Sequence, residues 1–470
     1  MADQRMPLRA IARSYVADGP SGVTIRDRLG GLTAEDEKML RMVGTHLGAL
    51  ASRDLARRCR DGLDHSTDTW AERKRELTAQ SSSRWAGSIA ANAHDQWGLS
   101  RRAQVAHLQS LDAGTRMIRH RLSLPVGEKG SRGRPGGYRS RHEWFHKSRR
   151  LAILEATYGR LSAERETGRV KVVRGGRKLA NTRHNLTAAN LTEAAWKKHW
   201  EASRWFLAAD GESGKRYGNE TIRVTPDGEV SIKLPAPLAH LANAKHGRYT
   251  LAARVGFPHR GEEWRDRVST NRAVAYRIHL NAHTGRWYLD ASWTRKDLPV
   301  VPLDILRADG AVGVDMNADH LAAWQLDEYG NPVGAPPRFD YNMSGSATRR
   351  DAQLRHALTR LLHWAKSTGV QAIAIEDLDF TNSRTREKHG RRKRFRQLVS
   401  SIPTGKLRAR LLSMCAESGL SVIAVDPAYT RRAVRRVARR RRLPSPGRGP
   451  RTAGALPRPR GRPARLRARR

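Results

Sequence analysis

The sequence predicts an α/β protein of several domains: a helical N-terminal region, a β-rich middle region and a C-terminal domain built on a mixed sheet. Three observations lead to this prediction. Apolar residues at helical spacing dominate up to about residue 127, two hairpin patterns lie between residues 220 and 294, and short apolar strands alternate with amphipathic helices after residue 311. A chain of 470 residues has room for two to three such domains.

Residues 1–127 form the predicted helical region. Thr33 and Asp36 have the spacing of a capping box, and Met39, Leu40 and Val43 begin an apolar stripe of helical period. Basic helical patterns follow up to residue 122. Two interpretations remain open for this region, a plain helical bundle and a helical nucleic-acid-binding region.

Residues 128–150 are predicted to be a Gly/Arg-rich loop. Glycines allow close approach of the backbone, arginines pair with phosphates, and Tyr138, Trp144 and Phe145 have rings that can stack on bases. The loop is therefore a candidate RNA contact. A flexible surface linker is the alternative.

Residues 151–300 are predicted to be a β-rich domain. Alternating apolar residues flank the turn formers of residues 226–228, and the same scheme recurs around residues 281–285, so each stretch predicts a hairpin. Trp287 and Trp293 are expected in the core of this domain rather than on its surface as base-stacking platforms. Residues 295–310 are expected to link it to the next domain.

Residues 301–430 are predicted to alternate strands with helices. Helical apolar stripes cover residues 347–368 and 405–418, and short links between helix and strand favour parallel pairing of the later strands. Three apolar strands release a carboxylate near their C-terminal ends, at Asp315, Glu376 and Asp426. Ligands and catalytic groups gather at such strand ends in open α/β sheets.

This element order is that of a ribonuclease-H-like domain, and two of its motifs resemble a known family. VGVDMNADH and IAIEDLDF resemble the first and second RuvC motifs of the TnpB (OrfB) proteins of insertion sequences, which are related to the type V CRISPR nucleases. KRFRQLVSSIPTGKLRARL, IAVDPAYT and VVRGGRKLANTRHNL extend the likeness over residues 140–430. The resemblance implies a RuvC-type domain at residues 301–430, a wedge domain at residues 151–300 and a helical region that grips guide RNA and DNA.

The resemblance also implies a chemistry. A transposon-encoded, transposase-associated protein of this kind is by descent an RNA-guided DNA endonuclease that hydrolyses phosphodiesters with two Mg²⁺ or Mn²⁺ ions about 4 Å apart. Asp315 then bridges both ions and Glu376 completes one of them, since hard cations take carboxylate oxygens. Four neighbouring residues are expected to be turn or helix-cap residues: Asn317, Asp319, Asp377 and Asp379.

A strongly basic segment at residues 381–395 follows the second motif. It is too charged for a core, and it is expected either to form a mobile flap that contacts the substrate strand or to be a solvated loop. The candidate nucleic-acid contacts in and directly after this segment are Arg391, Arg392, Lys393, Arg394 and Arg396.

The charge balance predicts a polyanionic partner, DNA or a guide-type RNA. The formal net charge is +44, with 89 Lys and Arg against 45 Asp and Glu. Residues 431–470 contribute 17 arginines and no acidic residue, and subtracting these charges from +44 still leaves +27 on the rest of the chain. A basic tail alone therefore does not explain the excess.

The C-terminus departs from the family pattern. After Thr430 the chain has neither a zinc ribbon nor a third acidic motif, and its two cysteines, Cys59 and Cys415, exclude a four-cysteine zinc site. The Arg, Pro, Gly and Ala of residues 431–470 suggest a shifted reading frame in GC-rich DNA; a genuine disordered Arg-rich arm is the alternative.

A missing third carboxylate predicts weak or absent cleavage. Asp426 is a weak candidate to replace it, and a nuclease-dead RNA- or DNA-binding regulator is the alternative function. A basic structural RNA-binding protein is a third class. The N-terminus lacks an apolar stretch of signal-peptide length, and no run could span a bilayer, so a prokaryotic cytoplasmic location without membrane partners is expected.

Overall fold

The computed structural model describes residues 11–131, 135–295, 300–317, 319–377 and 404–426. Over these ranges the chain is a mixed α/β protein whose strands form three sheets, one of them with both parallel and antiparallel pairs. The predicted α/β class is therefore confirmed. Among the helices of these ranges, none is long and apolar enough to cross a membrane.

The described residues form ten α-helices: α1 (Ala34–Asp61), α2 (Thr67–Gln80), α3 (Ser83–Leu122), α4 (Arg141–Glu166), α5 (Arg177–Thr182), α6 (Glu193–Arg204), α7 (Gly261–Ser269), α8 (Leu303–Ala308), α9 (Ala347–Ser367) and α10 (Thr404–Ser418). The same residues form fourteen strands: β1 (Tyr15–Val16), β2 (Gly22–Arg28), β3 (Ala208–Ala209), β4 (Ile222–Val224), β5 (Glu229–Lys233), β6 (Arg248–Arg254), β7 (Ala275–Asn281), β8 (Arg286–Thr294), β9 (Ala311–Met316), β10 (His320–Leu326), β11 (Pro332–Val333), β12 (Arg338–Asp340), β13 (Ala372–Glu376) and β14 (Ser421–Val425).

Helix α1 begins at the capping box that the sequence predicts. The Thr33 hydroxyl accepts from the Asp36 backbone N–H at 3.1 Å, and the Asp36 carboxylate accepts from the Thr33 N–H at 3.0 Å. These two bonds satisfy donors that a helix start otherwise leaves unpaired. From α1 onward the N-terminal region is helical as expected, and α3 is one helix of 40 residues. The residues before α1 form strands β1 and β2 instead, which pair with strands from later parts of the chain.

The N-terminal helices and the middle strands share one hydrophobic core. Leu40 and Leu47 of α1 and Trp85 of α3 belong to the same buried cluster as residues of β4, β5, β7 and β8. The indole Nε1 of Trp85 also donates to the Lys233 carbonyl at 2.8 Å. The apolar faces of α1 and of the first part of α3 are thus buried against the sheets.

The structure differs from the sequence prediction between residues 141 and 205. Helix α4 begins at Arg141, inside the expected loop, and the chain stays largely helical until β3 begins at Ala208. The reason is packing, since Leu154 of α4 is buried against Leu111 and Ile118 of α3. Residues 151–207 therefore contain helices where a β-rich domain was expected.

The three aromatic residues named as candidates for stacking on bases separate into two groups. Tyr138 is fully buried, and the Arg121 guanidinium lies 4.0 Å from the centre of its ring. Tyr138 is therefore not available to stack on a base, because its ring is part of the packed interior. Trp144 and Phe145 lie on α4 and are 37% and 54% exposed.

Both predicted hairpins are confirmed in the middle region. Strands β4 and β5 pair antiparallel within a three-stranded sheet of order β4-β5-β6, and β7 and β8 pair within a four-stranded sheet of order β2-β8-β7-β3. Trp287 and Trp293 are buried, as expected for core residues. Helix α8 lies in the segment predicted as a linker and buries Leu306.

The C-terminal domain is built on a seven-stranded mixed sheet. Its strand order is β1-β14-β13-β9-β10-β11, with β12 also paired to β10. Strand β9 pairs antiparallel with β10, whereas β9, β13 and β14 are parallel neighbours, as the short helix–strand links predict. Strand β1, from the other end of the chain, pairs antiparallel with β14 and completes the edge.

The two faces of this sheet are covered by different elements. Val312, Ile373 and Val422 lie on one face and pack in a cluster with residues of α9 and α10, including the fully buried Cys415. Ala372 lies on the opposite face, in a smaller cluster with Leu306 of α8. The expectation that Cys415 is a packed thiol is confirmed.

Candidate metal centre at the strand ends

Asp315 and Glu376 lie at the carboxyl ends of two adjacent parallel strands, β9 and β13. Val314 is in register with Ile375, so Asp315 and Glu376 occupy the next equivalent position. Adjacent strands run about 4.8 Å apart. The structure thus brings these two predicted residues to the same end of one sheet, on neighbouring backbones.

The two carboxylates also share a face of the sheet. Val314 and Ile375 belong to the cluster beneath α9 and α10, and successive side chains of a strand alternate between faces. Asp315 and Glu376 therefore fall on the face that these helices leave uncovered. Asp315 is exposed and Glu376 is half-buried, so solvent reaches both.

Asp377 is directed to the other face, where it joins three distant parts of the chain. The Tyr15 hydroxyl donates to Asp377 Oδ2 at 2.9 Å, and Arg408 of α10 pairs with Asp377 Oδ1. Arg408 also donates to the Tyr15 oxygen at 3.0 Å. The hydrogen bonds to Tyr15 and Asp377 raise the pKa of Arg408. These contacts give Asp377 a structural role.

Asp426 does not join the pair. Its strand, β14, is separated from β9 by β13, a distance of two strand spacings or about 10 Å. Asp426 Oδ2 accepts a hydrogen bond from the Ala12 backbone N–H at 2.8 Å. The structure therefore places this candidate ligand against the N-terminal segment rather than beside Asp315.

A hydrogen-bonded group adjoins Asp315 that the sequence did not indicate. Asn317 Nδ2 lies 3.2 Å from Asp315 Oδ2 and 3.1 Å from His320 Nε2, and His320 Nδ1 lies 2.7 Å from Asp319 Oδ1. The hydrogen bond with His320 is the main cause that lowers the pKa of Asp319, and the Arg338 charge adds to it.

The sequence predicts turn or helix-cap roles for Asn317 and Asp319 and gives no prediction for His320. The available signal was the short β9–β10 connection, which places residues 317 and 320 opposite each other. Their backbones are hydrogen-bonded at 3.0 Å between Asn317 N–H and the His320 carbonyl.

The donor set of Asp315 and Glu376 fits a hard divalent cation. Mg²⁺ is commonly held by one or two carboxylates while it keeps several waters or substrate oxygens. Within the residues that the structure describes, no group of three or more His, Cys, Asp or Glu is arranged to hold a metal. The described part of the chain thus offers two carboxylates at this position.

Several predicted residues lie outside the described ranges. These are Asp379 and the candidate nucleic-acid contacts Arg391, Arg392, Lys393, Arg394 and Arg396. The Arg-rich segment of residues 431–470 also lies outside them.

Comparison with known proteins yields no family assignment. No protein-family model matches the chain, and no curated protein matches it either.

Proposed function

We propose that this chain is a transposon-encoded TnpB-like protein that acts on DNA with a guide-type RNA, through a Mg²⁺ or Mn²⁺ centre at Asp315 and Glu376. One observation carries the proposal: Asp315 and Glu376 stand at the carboxyl ends of adjacent parallel strands, on the face of the sheet opposite to α9 and α10. Carboxylates placed together in this way are the ligands that metal-dependent phosphodiester hydrolysis uses.

The topology of the sheet supports the same proposal. Strands β9, β10 and β11 pair antiparallel in succession, β12 also pairs with β10, and a helix, the parallel strand β13, a second helix and the parallel strand β14 follow. This order, with β9 beside β13, is the one that we expect of a ribonuclease-H-like domain of the RuvC type. The fold alone does not specify a reaction, so the reaction is inferred from the two carboxylates.

The charge of the chain supports a nucleic-acid partner. The net charge is +44, and Trp144 and Phe145 of α4 expose aromatic rings among arginines, with the Arg149 guanidinium 5.9 Å from the Phe145 ring centre. Exposed aromatics beside cations suit stacking on bases and pairing with phosphates. This surface is a second candidate contact for RNA or DNA.

In this proposal Asp315 and Glu376 would hold the cation at the end of the sheet. The chemistry supplied by Mg²⁺ there would be polarisation of the phosphodiester and activation of water for hydrolysis. The exposure of Asp315 leaves room for substrate oxygens. Asp377 instead accepts a hydrogen bond from the Tyr15 hydroxyl, and Asp426 accepts one from the Ala12 backbone N–H.

A nuclease-dead RNA- or DNA-binding regulator is the second candidate function. It is favoured by the two-carboxylate donor set, because Asp377 faces the helix-covered side and Asp426 lies two strands away from Asp315. A centre that retains two carboxylates can bind one cation while cleavage is weak or absent. The two candidates thus differ in cleavage and share nucleic-acid binding.

The decisive experiment measures metal binding and cleavage on the same preparation. Mn²⁺ binding is followed by electron paramagnetic resonance, and plasmid nicking is assayed with Mg²⁺ in the presence of co-purified RNA. Asp315→Ala and Glu376→Gln are compared with wild type, and Glu328→Gln, an exposed residue of the β10–β11 turn, is the matched control.

Three outcomes separate the alternatives. Nicking that is lost in Asp315→Ala and Glu376→Gln but kept in Glu328→Gln supports the nuclease. Mn²⁺ binding that depends on Asp315, with bound RNA and no nicking, selects the regulator. Equal Mn²⁺ binding by wild type and Asp315→Ala refutes the metal centre and leaves a basic RNA-binding protein.

A further inference from the structure

A chain of four side chains leads from the Asp315 carboxylate to the surface of the β9–β10 connection. Asp319 Oδ1 contacts His320 Nδ1, His320 Nε2 contacts Asn317 Nδ2, and Asn317 Nδ2 contacts Asp315 Oδ2, at 2.7, 3.1 and 3.2 Å. Arg338 stands beyond Asp319, with 3.6 Å between Nη2 and Oδ2. This series of side chains therefore runs from the carboxylate of Asp315 to the guanidinium of Arg338.

The donor and acceptor types set the direction of each hydrogen bond. Asn317 Nδ2 only donates, so His320 Nε2 accepts from it, and His320 Nδ1 carries the hydrogen that it donates to Asp319 Oδ1. Asn317 Nδ2 can donate one hydrogen to that acceptor and the other to Asp315 Oδ2. The carbonyl oxygen of the amide cannot take this place, because it has no hydrogen to give to either neighbour.

Tyr341 fixes the backbone on both sides of this connection through two hydrogen bonds. The Tyr341 hydroxyl donates to the Asn317 carbonyl, and the Tyr341 N–H donates to the Asp319 carbonyl at 2.8 Å. Tyr341 is buried, and His320 has only 18% of its side chain exposed. The donor that meets Asp315 is thus fixed by packed neighbours rather than by a free loop.

We propose that Asn317 is a positioning residue for the metal centre, held in one amide orientation by His320 and Asp319 so that it orients the Asp315 carboxylate. The proposal rests on the function proposed above. Asn317 bonds only to Oδ2, and among the described residues no hydrogen bond reaches Asp315 Oδ1. Oδ1 is then the oxygen presented to a cation. Because the hydrogen bond from Asn317 already orients the carboxylate, cation binding does not have to restrict its rotation.

The proposal gives a measurable consequence for metal affinity. Removing a group that hydrogen-bonds to a metal ligand typically weakens binding about 10–100-fold. Asn317→Ala should therefore raise the dissociation constant for Mn²⁺ by about 10–100-fold, with Asp315 and Glu376 unchanged. Asp319→Ala should also weaken binding, since His320 then loses the partner that fixes its tautomer.

The matched control is Asn331→Ala. Asn331 Nδ2 donates to Asp327 Oδ2 at 3.1 Å in the β10–β11 turn, the same amide–carboxylate contact in the same sheet but away from Asp315. Thermal unfolding of both variants checks that each is folded. Mn²⁺ affinity, measured by electron paramagnetic resonance, should fall in Asn317→Ala and stay at the wild-type value in Asn331→Ala.

A second measurement needs neither metal nor activity. In protein labelled with ¹⁵N-histidine at pH 8, the resonances lost in His320→Phe identify His320, and they should show a proton on Nδ1 and a bare Nε2. In Asp319→Ala this signature should be lost. A proton on Nε2 in the wild type overturns the proposal, because that nitrogen then cannot accept from Asn317.

The outcomes also distinguish this proposal from the one on which it rests. If Mn²⁺ binding depends on Asp315 but is unchanged in Asn317→Ala, only the positioning role is refuted. If wild type and Asp315→Ala bind Mn²⁺ equally, the metal centre is refuted and the positioning role with it. Weaker binding in Asn317→Ala, together with the Nδ1-protonated signature, supports both.

Discussion

Replacing Asp54 with alanine should destabilise helices α1 and α2 by about 3–5 kcal/mol, because it leaves a buried arginine without its counter-ion. Arg73 donates to both carboxylate oxygens of Asp54, at 2.7 and 2.6 Å, and the two side chains are 1% and 3% exposed. Burial and the Arg73 charge already lower the pKa of the neighbouring Arg58. Without Asp54, the buried guanidinium groups of Arg58 and Arg73 repel each other without the negative charge that Asp54 supplies.

Hydrogen exchange of the α1 and α2 amides is the suitable assay, because it reports local opening in a protein of several domains. A loss of 3–5 kcal/mol corresponds to exchange that is about 100- to 5,000-fold faster. The double variant Asp54→Leu/Arg73→Met removes both charges and keeps apolar volume. It should lose less stability than Asp54→Ala alone.

Glu76→Ala is the control on the same pair of helices. Glu76 lies 2.9 Å from Arg57, but both side chains are accessible, so the loss should stay within about 1 kcal/mol. If Asp54→Ala changes exchange no more than Glu76→Ala, burial does not strengthen the Asp54–Arg73 pair and the reasoning is wrong.

Three further predictions concern the edge of the sheet, a buried thiol and two glycines. Deleting residues 1–17 removes β1, so β14 amides should exchange faster than in a deletion of residues 1–10; equal exchange would show that β1 does not protect this edge. Burial raises the pKa of the Cys415 thiol to about 12. At pH 8 the thiol should therefore resist alkylation in the native state and react in urea, which mass spectrometry tests. The thiol's contribution to the free energy of unfolding should fall as the pH rises from 9.0 towards 12, which a pH series of unfolding curves tests. Gly228 and Gly330 both have positive φ, +84° and +81°, but a Cβ at Gly228 would lie 1.9 Å from the Val255 carbonyl oxygen, whereas a Cβ at Gly330 would meet open space. Gly330→Ala should lower the free energy of unfolding by about 1–2 kcal/mol, and Gly228→Ala should lower it clearly more. Similar denaturation midpoints for the two variants would contradict this.

The sequence predicted the elements whose patterns are local. A helix expected at residues 347–368 is α9, Ala347–Ser367, because its apolar residues repeat at helical period over five turns. The two hairpins were predictable from alternating residues around turn formers. The position of Asp315 and Glu376 at the ends of apolar strands was equally predictable, as was the parallel pairing of the later strands.

Other features were decided by contacts between distant parts of the chain. Periodicity shows which face of an element is apolar, but it does not say which surface covers that face. Helix α4 is stable because Leu154 packs on α3, and Tyr138 is buried rather than exposed for a similar reason. Neither fact follows from the glycines and arginines around residue 135.

The acidic residues at the strand ends show this division most clearly. Composition and spacing determine that Asp315, Glu376 and Asp426 each follow an apolar strand. Only the tertiary structure assigns them different environments, because strand order separates β14 from β9 and because the N-terminal segment, some four hundred residues away in sequence, bonds to Asp426. The amide of Asn317 reaches Asp315 for the same physical reason: a side chain's partners are set by the folded backbone around it.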